Sequence, residues 1–122
     1  MQTVLVANRG EMAVRIIRTC KKLGLRAVAV YSENDERGLH VRLADESVCI
    51  GPRPADKSYL NIDAILAAAK AYRADLLHPG VGFLSENGAF AEACAEAGIR
   101  FVGPAPQTMR MLGDKEAARK AM

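Results

Sequence analysis

A strict alternation of short apolar runs with amphipathic helical patterns constrains this chain more than any other feature. Thr3–Ala7 (TVLVA), Arg26–Tyr31 (RAVAVY), Glu46–Ile50 (ESVCI), Ala74–His78 (ADLLH) and Ile99–Val102 have the length and apolar content of buried strands. Helical stripes lie between them. From about Glu11 to Leu23, apolar residues recur at Met12, Ala13, Ile16, Ile17, Cys20 and Leu23. From Asn61 to Tyr72 they recur at Ile62, Ile65, Leu66, Ala69 and Tyr72, with Asn61 as a fitting N-cap. A third stripe, from about Glu86 to Ala97, holds Phe90, Ala91, Cys94 and Ala97. Ser32–Gly38 is polar and reads as a loop, and Leu39–Ala44 as one short helical turn. Gln107–Leu112 reads as a short helix, and Asp114 as the N-cap of another.

Strands that alternate with helices pair in parallel through right-handed crossovers. The expected fold is therefore α/β: an open, doubly wound, Rossmann-like parallel sheet of about five strands, with Thr3–Ala7 at its centre. Such sheets bind ligands beyond the carboxyl ends of their strands. Three loops are expected there: Asn8–Glu11, His78–Asn87 and Gly103–Pro106.

At 122 residues the chain is one domain's worth, and half of it is hydrophobic, enough for a real core. The net charge of +3 is spread along the chain, which favours small anionic ligands over a nucleic-acid surface. Its three cysteines, Cys20, Cys49 and Cys94, are far apart and sit among apolar neighbours. They offer no Cys-x-x-Cys and read as buried, reduced thiols. The first residues lack the charged and apolar regions of a secretory leader, and the apolar runs are too short to span a bilayer. A cytoplasmic location without membrane contact is expected.

The chemistry is concentrated in the loops. Ala7-Asn8-Arg9-Gly10-Glu11 is not the G-x-G-x-x-G dinucleotide fingerprint. Gly10 permits a tight turn. Arg9 either offers a fork of donors to an anion at a helix N-terminus or makes a salt bridge across the sheet edge. The loop His78-Pro-Gly-Val-Gly-Phe-Leu-Ser-Glu-Asn87 exposes backbone amides at Gly80 and Gly82, which can cradle an anion or let a flat ligand approach. Ser85, Glu86 and Asn87 can cap the helix that follows or point into the cleft. For Glu86, a place at a helix N-terminus alone is also favourable. His78 and His40 lack an acid or thiol partner and read as rings tied to backbone. No metal-ligand spacing, Ser-His-Asp order or activated cysteine is visible.

Taken together, V-A-N-R-G-E-M-A (Val6–Ala13), H-V-R-L-A-D-E (His40–Glu46), S-Y-L-N (Ser58–Asn61), H-P-G-x-G-F-L-S-E-N (His78–Asn87) and G-D-K (Gly113–Lys115) resemble the N-terminal, pre-ATP-grasp domain of the biotin carboxylase family. The motifs stand in family order from Val4 to Met122. The family supplies the free subunit of acetyl-CoA carboxylases, which serve fatty acid biosynthesis. It also opens pyruvate, propionyl-CoA, methylcrotonyl-CoA and urea carboxylases.

The resemblance implies a ligase that uses Mg-ATP to convert bicarbonate to carboxyphosphate and captures the released CO₂ on N1 of biotin. The biotin is carried by a carboxyl carrier protein or domain. It implies an ATP contact for Lys115, and substrate-proximal places for Arg9, Gly10, Gly80, Val81, Gly82 and Glu86. Residues 1–113 then form the α/β domain, and 114–122 begin the helix that leads to an ATP-grasp domain. That domain carries the family's magnesium, bicarbonate and biotin residues, so 122 residues alone are expected neither to catalyse nor to hold ATP, Mg²⁺ or biotin tightly. In one departure, Val81 stands where the family usually has tyrosine, without the aromatic face or hydroxyl. In the family the first helix contributes to a homodimer through a basic residue matching Arg18. Here Lys22 stands one turn later, where an acid is common, so only a weak dimer is expected.

Three other readings compete. Another ATP-grasp ligase shares the architecture but not the H-P-G-x-G-F-L-S-E-N string. A receiver or nucleotide-sensing module needs an acidic cluster after the first strand, where Ala7-Asn8-Arg9 stands. A nicotinamide oxidoreductase needs the missing glycine fingerprint.

Overall fold

A computed structural model of the chain describes residues 2–102. The expectations for Gly103–Pro106, Gln107–Leu112, Asp114 and Lys115 lie outside them. Five strands, β1 (Thr3–Val6), β2 (Arg26–Ser32), β3 (Glu46–Gly51), β4 (Leu76–His78) and β5 (Arg100–Phe101), form one all-parallel sheet. Their order is β3-β2-β1-β4-β5, with the wholly buried β1 at the centre as expected. The helices are α1 (Gly10–Lys22), α2 (Leu39–Leu43), α3 (Ile62–Ala71) and α4 (Gly88–Glu96). A short 3-10 turn, Glu33–Asp35, interrupts the expected loop Ser32–Gly38, and another spans Ala55–Lys57.

The order explains the layers. The chain runs outward from β1 to β3, then returns past β1 to β4 and β5. Right-handed crossovers in opposite directions place helices on opposite faces. Accordingly Val4, Val6, Ala27 and Ala29 pack with Ala13, Ile16, Ile17 and Cys20 of α1. Residues one step out of phase, Leu5, Val28, Val30 and Leu77, pack with Ile65, Ala69, Phe90 and Cys94 of α3 and α4. Strand periodicity of two feeds both cores. A fully buried Leu5 or Ile17 contributes about 1.5–3 kcal/mol.

The amino ends of the strands are tied by carboxylates. Asp45 accepts from the Ala27 amide at 2.8 Å and Asp75 from the Thr3 amide at 2.9 Å. The first of these bonds holds the Asp45 carboxyl below the usual carboxylate range, helped by Lys21. Arg26 pairs with Glu46 across β2 and β3.

Several expectations need correction. Leu23, at the C-cap of α1, and Ala97, at that of α4, are exposed, while Val14 is buried. Cys49 is exposed because β3 is an edge strand, whereas Cys20 and Cys94 are buried. Burial pushes the Cys94 thiol up to about 11, which makes it a core group without nucleophilic character. No helix among the described residues is long and apolar enough to cross a membrane.

Candidate functional site

The reversal in strand order falls between β1 and β4, and the loops after these two strands meet at the carboxyl edge. Val6 pairs with His78, and the Ala7 amide donates to the His78 carbonyl at 2.9 Å, so both strands end flush. Asn8 joins the loops. Its side chain, 4% exposed, donates to the Pro79 carbonyl at 2.7 Å and the Val81 carbonyl at 2.9 Å, and accepts from the Arg9 amide at 2.8 Å. Both of its N–H donors and its oxygen are therefore engaged. The structure thus adds Asn8 to the sequence candidates. In a lone sequence it looked only like a turn residue.

The loop bound by Asn8 is unusual in its backbone. Gly80, Gly82 and Phe83 have φ of +68°, +82° and +46°. A Cβ on Gly80 would lie 2.8 Å from both Asn8 Nδ2 and Met12 Cγ, whereas one on Gly82 would meet nothing within 4 Å. Gly80 is thus required by a close approach as well as by its dihedral. Phe83 holds a conformation that costs an L-residue about 1–2 kcal/mol. Val81, 70% exposed, caps the loop toward solvent. Glu86 is exposed and stands before α4, which starts at Gly88 and not at Glu86. Of the three capping candidates, Asn87 is the cap: its Oδ1 accepts from the Phe90 amide at 2.8 Å.

Arg9 resolves to the salt bridge. Its Nε and one Nη donate to the two oxygens of Asp35 at 2.6 and 2.7 Å. Asp35 Oδ2 also accepts from the Tyr59 hydroxyl at 2.7 Å, and that hydroxyl accepts from the Ser32 amide at 3.1 Å. The Arg9 guanidinium, aided by the Tyr59 hydroxyl and opposed by burial, holds Asp35 down at about 2. Burial and the Asp35 carboxylate push Tyr59 up to about 12, so it remains a donor. The Tyr59 ring stacks on Phe83 with centroids 5.1 Å apart. Gly10 and Glu11 begin α1 beside Arg9, and no side chain caps this helix.

Both histidines are tied to backbone, as expected. His78 Nδ1 accepts from the Gly80 amide at 3.1 Å, which places the proton of the neutral ring on Nε2. His40 Nε2 lies 3.2 Å from the Val30 carbonyl, an acceptor, and so carries the proton. Burial lowers both below the ordinary imidazole value of 6.5. The unfolded chain therefore binds more protons, and stability falls as pH drops through 6.5. Thermal unfolding between pH 8 and pH 5 should show the melting temperature declining. The decline should shrink in the double variant His40→Gln/His78→Asn, which keeps one donor and one acceptor in place. An undiminished decline would remove the histidines as its cause.

An apolar cavity of about 580 Å³ opens beside α1, lined by Met12, Ile16, Leu76, His78 and Val102 among others. Arg15, Arg18 and Lys22 are exposed on α1. No group of three or more His, Cys, Asp or Glu side chains among the described residues could hold a metal ion. Gly80 is buried and its amide is spent on His78 Nδ1, so of the two glycines expected to expose amides only Gly82 is exposed. What this edge offers is a shaped loop held by Asn8 and backed by the Tyr59 ring, with Arg9 and Asp35 paired and Glu86 facing solvent.

A sequence model of the biotin carboxylase N-terminal domain matches residues 1–109. A biotin carboxylase of Halalkalibacterium halodurans is 58% identical over 119 residues, which are 98% of this chain and 26% of that protein. The structure is similar to the biotin carboxylase domain of a single-chain bacterial carboxylase, with a TM-score of 0.85 and 51% identity over 99% of this chain and 28% of that one. It is similar too to the urea carboxylase of Kluyveromyces lactis, with a TM-score of 0.86 and 50% identity over 98% of this chain and 10% of that one. The chain spans about a quarter of the length of the curated relatives it matches.

Proposed function

This chain belongs to the biotin carboxylase N-terminal domain family, and from that premise we propose that it serves the ATP-driven carboxylation of biotin. Its partners in this reading are an ATP-grasp domain and a biotin carboxyl carrier, in the cytoplasm. In this reading residues 1–113 belong to the α/β domain and 114–122 lead on to the ATP-grasp domain, a division that lies outside the described residues. The reading is carried by the placement of the family's H-P-G-x-G-F-L-S-E-N string at the topological switch point of the sheet, where ligands of open α/β folds bind.

In this account the domain supplies shape rather than charge. Gly80 and Gly82 keep side chains off the loop, and Asn8 fixes the loop against β1. Val81 and Glu86, both exposed, are among its outward-facing side chains. Arg9 and Gly10 act through the frame of the edge, since the Arg9 fork is committed to Asp35. In this reading the magnesium ligands and the phosphoryl chemistry belong to the ATP-grasp domain; among the described residues no group of three or more His, Cys, Asp or Glu gathers. Any dimer through α1 is weak, because Arg15, Arg18 and Lys22 place like charges within two turns.

Lys115 is the ATP contact of this reading. Fusing this chain to the remainder of the Halalkalibacterium halodurans relative, in place of its matched residues, gives the test. Lys115→Ala in that chimera should weaken ATP binding by about tenfold, the scale of one charge-assisted contact to phosphate. Unchanged ATP affinity would remove Lys115 from the site.

A further inference from the structure

We propose that Tyr59 is a positioning residue for the glycine-rich loop, coupling its shape to the Asp35–Arg9 pair; the role deepens the reading above and rests on it. The S-Y-L-N motif has no role in that reading, and the structure supplies the parts of one. Tyr59 is 2% exposed and precedes α3, more than twenty residues in sequence from its two hydrogen-bond partners and from the ring it stacks on. Its hydroxyl is fixed by two bonds, as donor to Asp35 and as acceptor from the Ser32 amide. Its ring lies against Phe83 with an interplanar angle of 26°.

The contact falls where the loop most needs support. Phe83 is a non-glycine residue at φ +46°, next to Gly82 at +82°. Such a backbone persists only where its surroundings over-determine it. Leu84, 4% exposed, anchors the next position in the core, and the Ser85 amide closes the turn onto the Gly82 carbonyl at 2.9 Å. On the open side Phe83 is 36% exposed, so the Tyr59 ring is its inner wall. The bond to Asp35 sets where that wall stands. Asp35 in turn is held by Arg9, in the turn that carries Asn8. The loop is thus braced at Pro79 and Val81 by Asn8 and at Phe83 by Tyr59, and both braces lead back to the turn after β1.

Amide hydrogen exchange on this 122-residue chain tests the role without reference to substrate. In Tyr59→Phe, which keeps the ring and removes the hydroxyl, the Gly80, Ser85 and Asn87 amides should exchange about tenfold faster, as local opening becomes easier. The β1 amides Val4–Val6 should keep their rates. Phe83→Leu, which spares the Asp35–Tyr59 bond, should loosen the same loop amides. Equal acceleration in β1 and the loop, or unaltered loop rates in both variants, would overturn the proposal. In the chimera, Tyr59→Phe should raise KM for free biotin several-fold and leave KM for ATP in place. Loop amides loosened with KM for biotin unmoved would uphold the positioning role and sink the substrate-proximal reading of the loop.

Discussion

Asp35→Ala should lower the melting temperature by about 10 °C at pH 7, the larger share of it through Tyr59 and not through Arg9. The carboxylate accepts both Arg9 bonds and the Tyr59 hydroxyl. Arg9 is about half exposed, so solvent screens its pairing and its loss costs about 1 kcal/mol or less. Tyr59 is buried, and its hydroxyl makes no other donor bond among the described residues. Leaving such a donor unsatisfied costs about 1–3 kcal/mol. Together these come to about 3 kcal/mol, which in a domain of this size is about 10 °C. Asp35→Asn keeps an oxygen for Tyr59 and should cost less than half as much. The pH dependence has a definite sign. Asp35 titrates near 2 in the fold against the ordinary 3.8, so its contribution is complete above 3.8 and is lost as pH falls toward 2. The gap between wild type and Asp35→Ala should therefore narrow over that window without closing, because the protonated carboxyl still offers Tyr59 an oxygen. A gap independent of pH would mean that the carboxylate's charge plays no part.

Gly80→Ala should cost about 3 kcal/mol and, in the chimera, reduce kcat/KM for biotin by tenfold or more. Two effects add. An L-residue at φ +68° loses about 1 kcal/mol. The new methyl also meets Asn8 Nδ2 and Met12 Cγ at 2.8 Å, and Asn8 can yield only by giving up its bonds to Pro79 and Val81. A buried amide left half-bonded accounts for about 2 kcal/mol more. Gly82→Ala is the internal control: its φ is +82° but its Cβ would stand in open space, so it should cost the backbone contribution alone. Equal losses in the two variants, by thermal unfolding, would show that the Asn8 contact is not what fixes the loop. The catalytic loss follows from misplacement, since displacing a binding loop by about 1 Å can cost up to a hundredfold.

The sheet was legible because each strand carries its own local signal. Apolar runs such as TVLVA and RAVAV are buried on both faces, and their alternation with helices leaves few topologies. Where burial is one-sided the signal weakened. The edge strand β3 exposes Cys49, although its neighbours in sequence are apolar. The ends of α1 and α4 expose Leu23 and Ala97, because the last residue of a stripe overhangs the core.

The loop motifs were also readable, but their wiring was not. Arg9 could face an anion or an acid, and three acids, Glu33, Asp35 and Glu36, stood in one polar stretch with nothing periodic to choose among them. Asp35 and Tyr59 are 24 residues apart, and pairing across such a distance leaves no mark in a single sequence. The positive φ of Phe83 is equally silent, since only glycine advertises that conformation. Ser85, Glu86 and Asn87 are all chemically able to cap α4, and only the geometry selects Asn87.

Biotin- and bicarbonate-dependent ATP cleavage, measured side by side on the 122-residue chain and on the chimera, tests the central claim most directly. In the proposed reading the domain shapes one edge of the site, and the phosphoryl chemistry is left to the ATP-grasp region. The account therefore predicts no turnover by the chain alone and biotin-stimulated turnover by the chimera. A folded chimera without biotin-dependent cleavage, or turnover by the 122 residues alone, would contradict it.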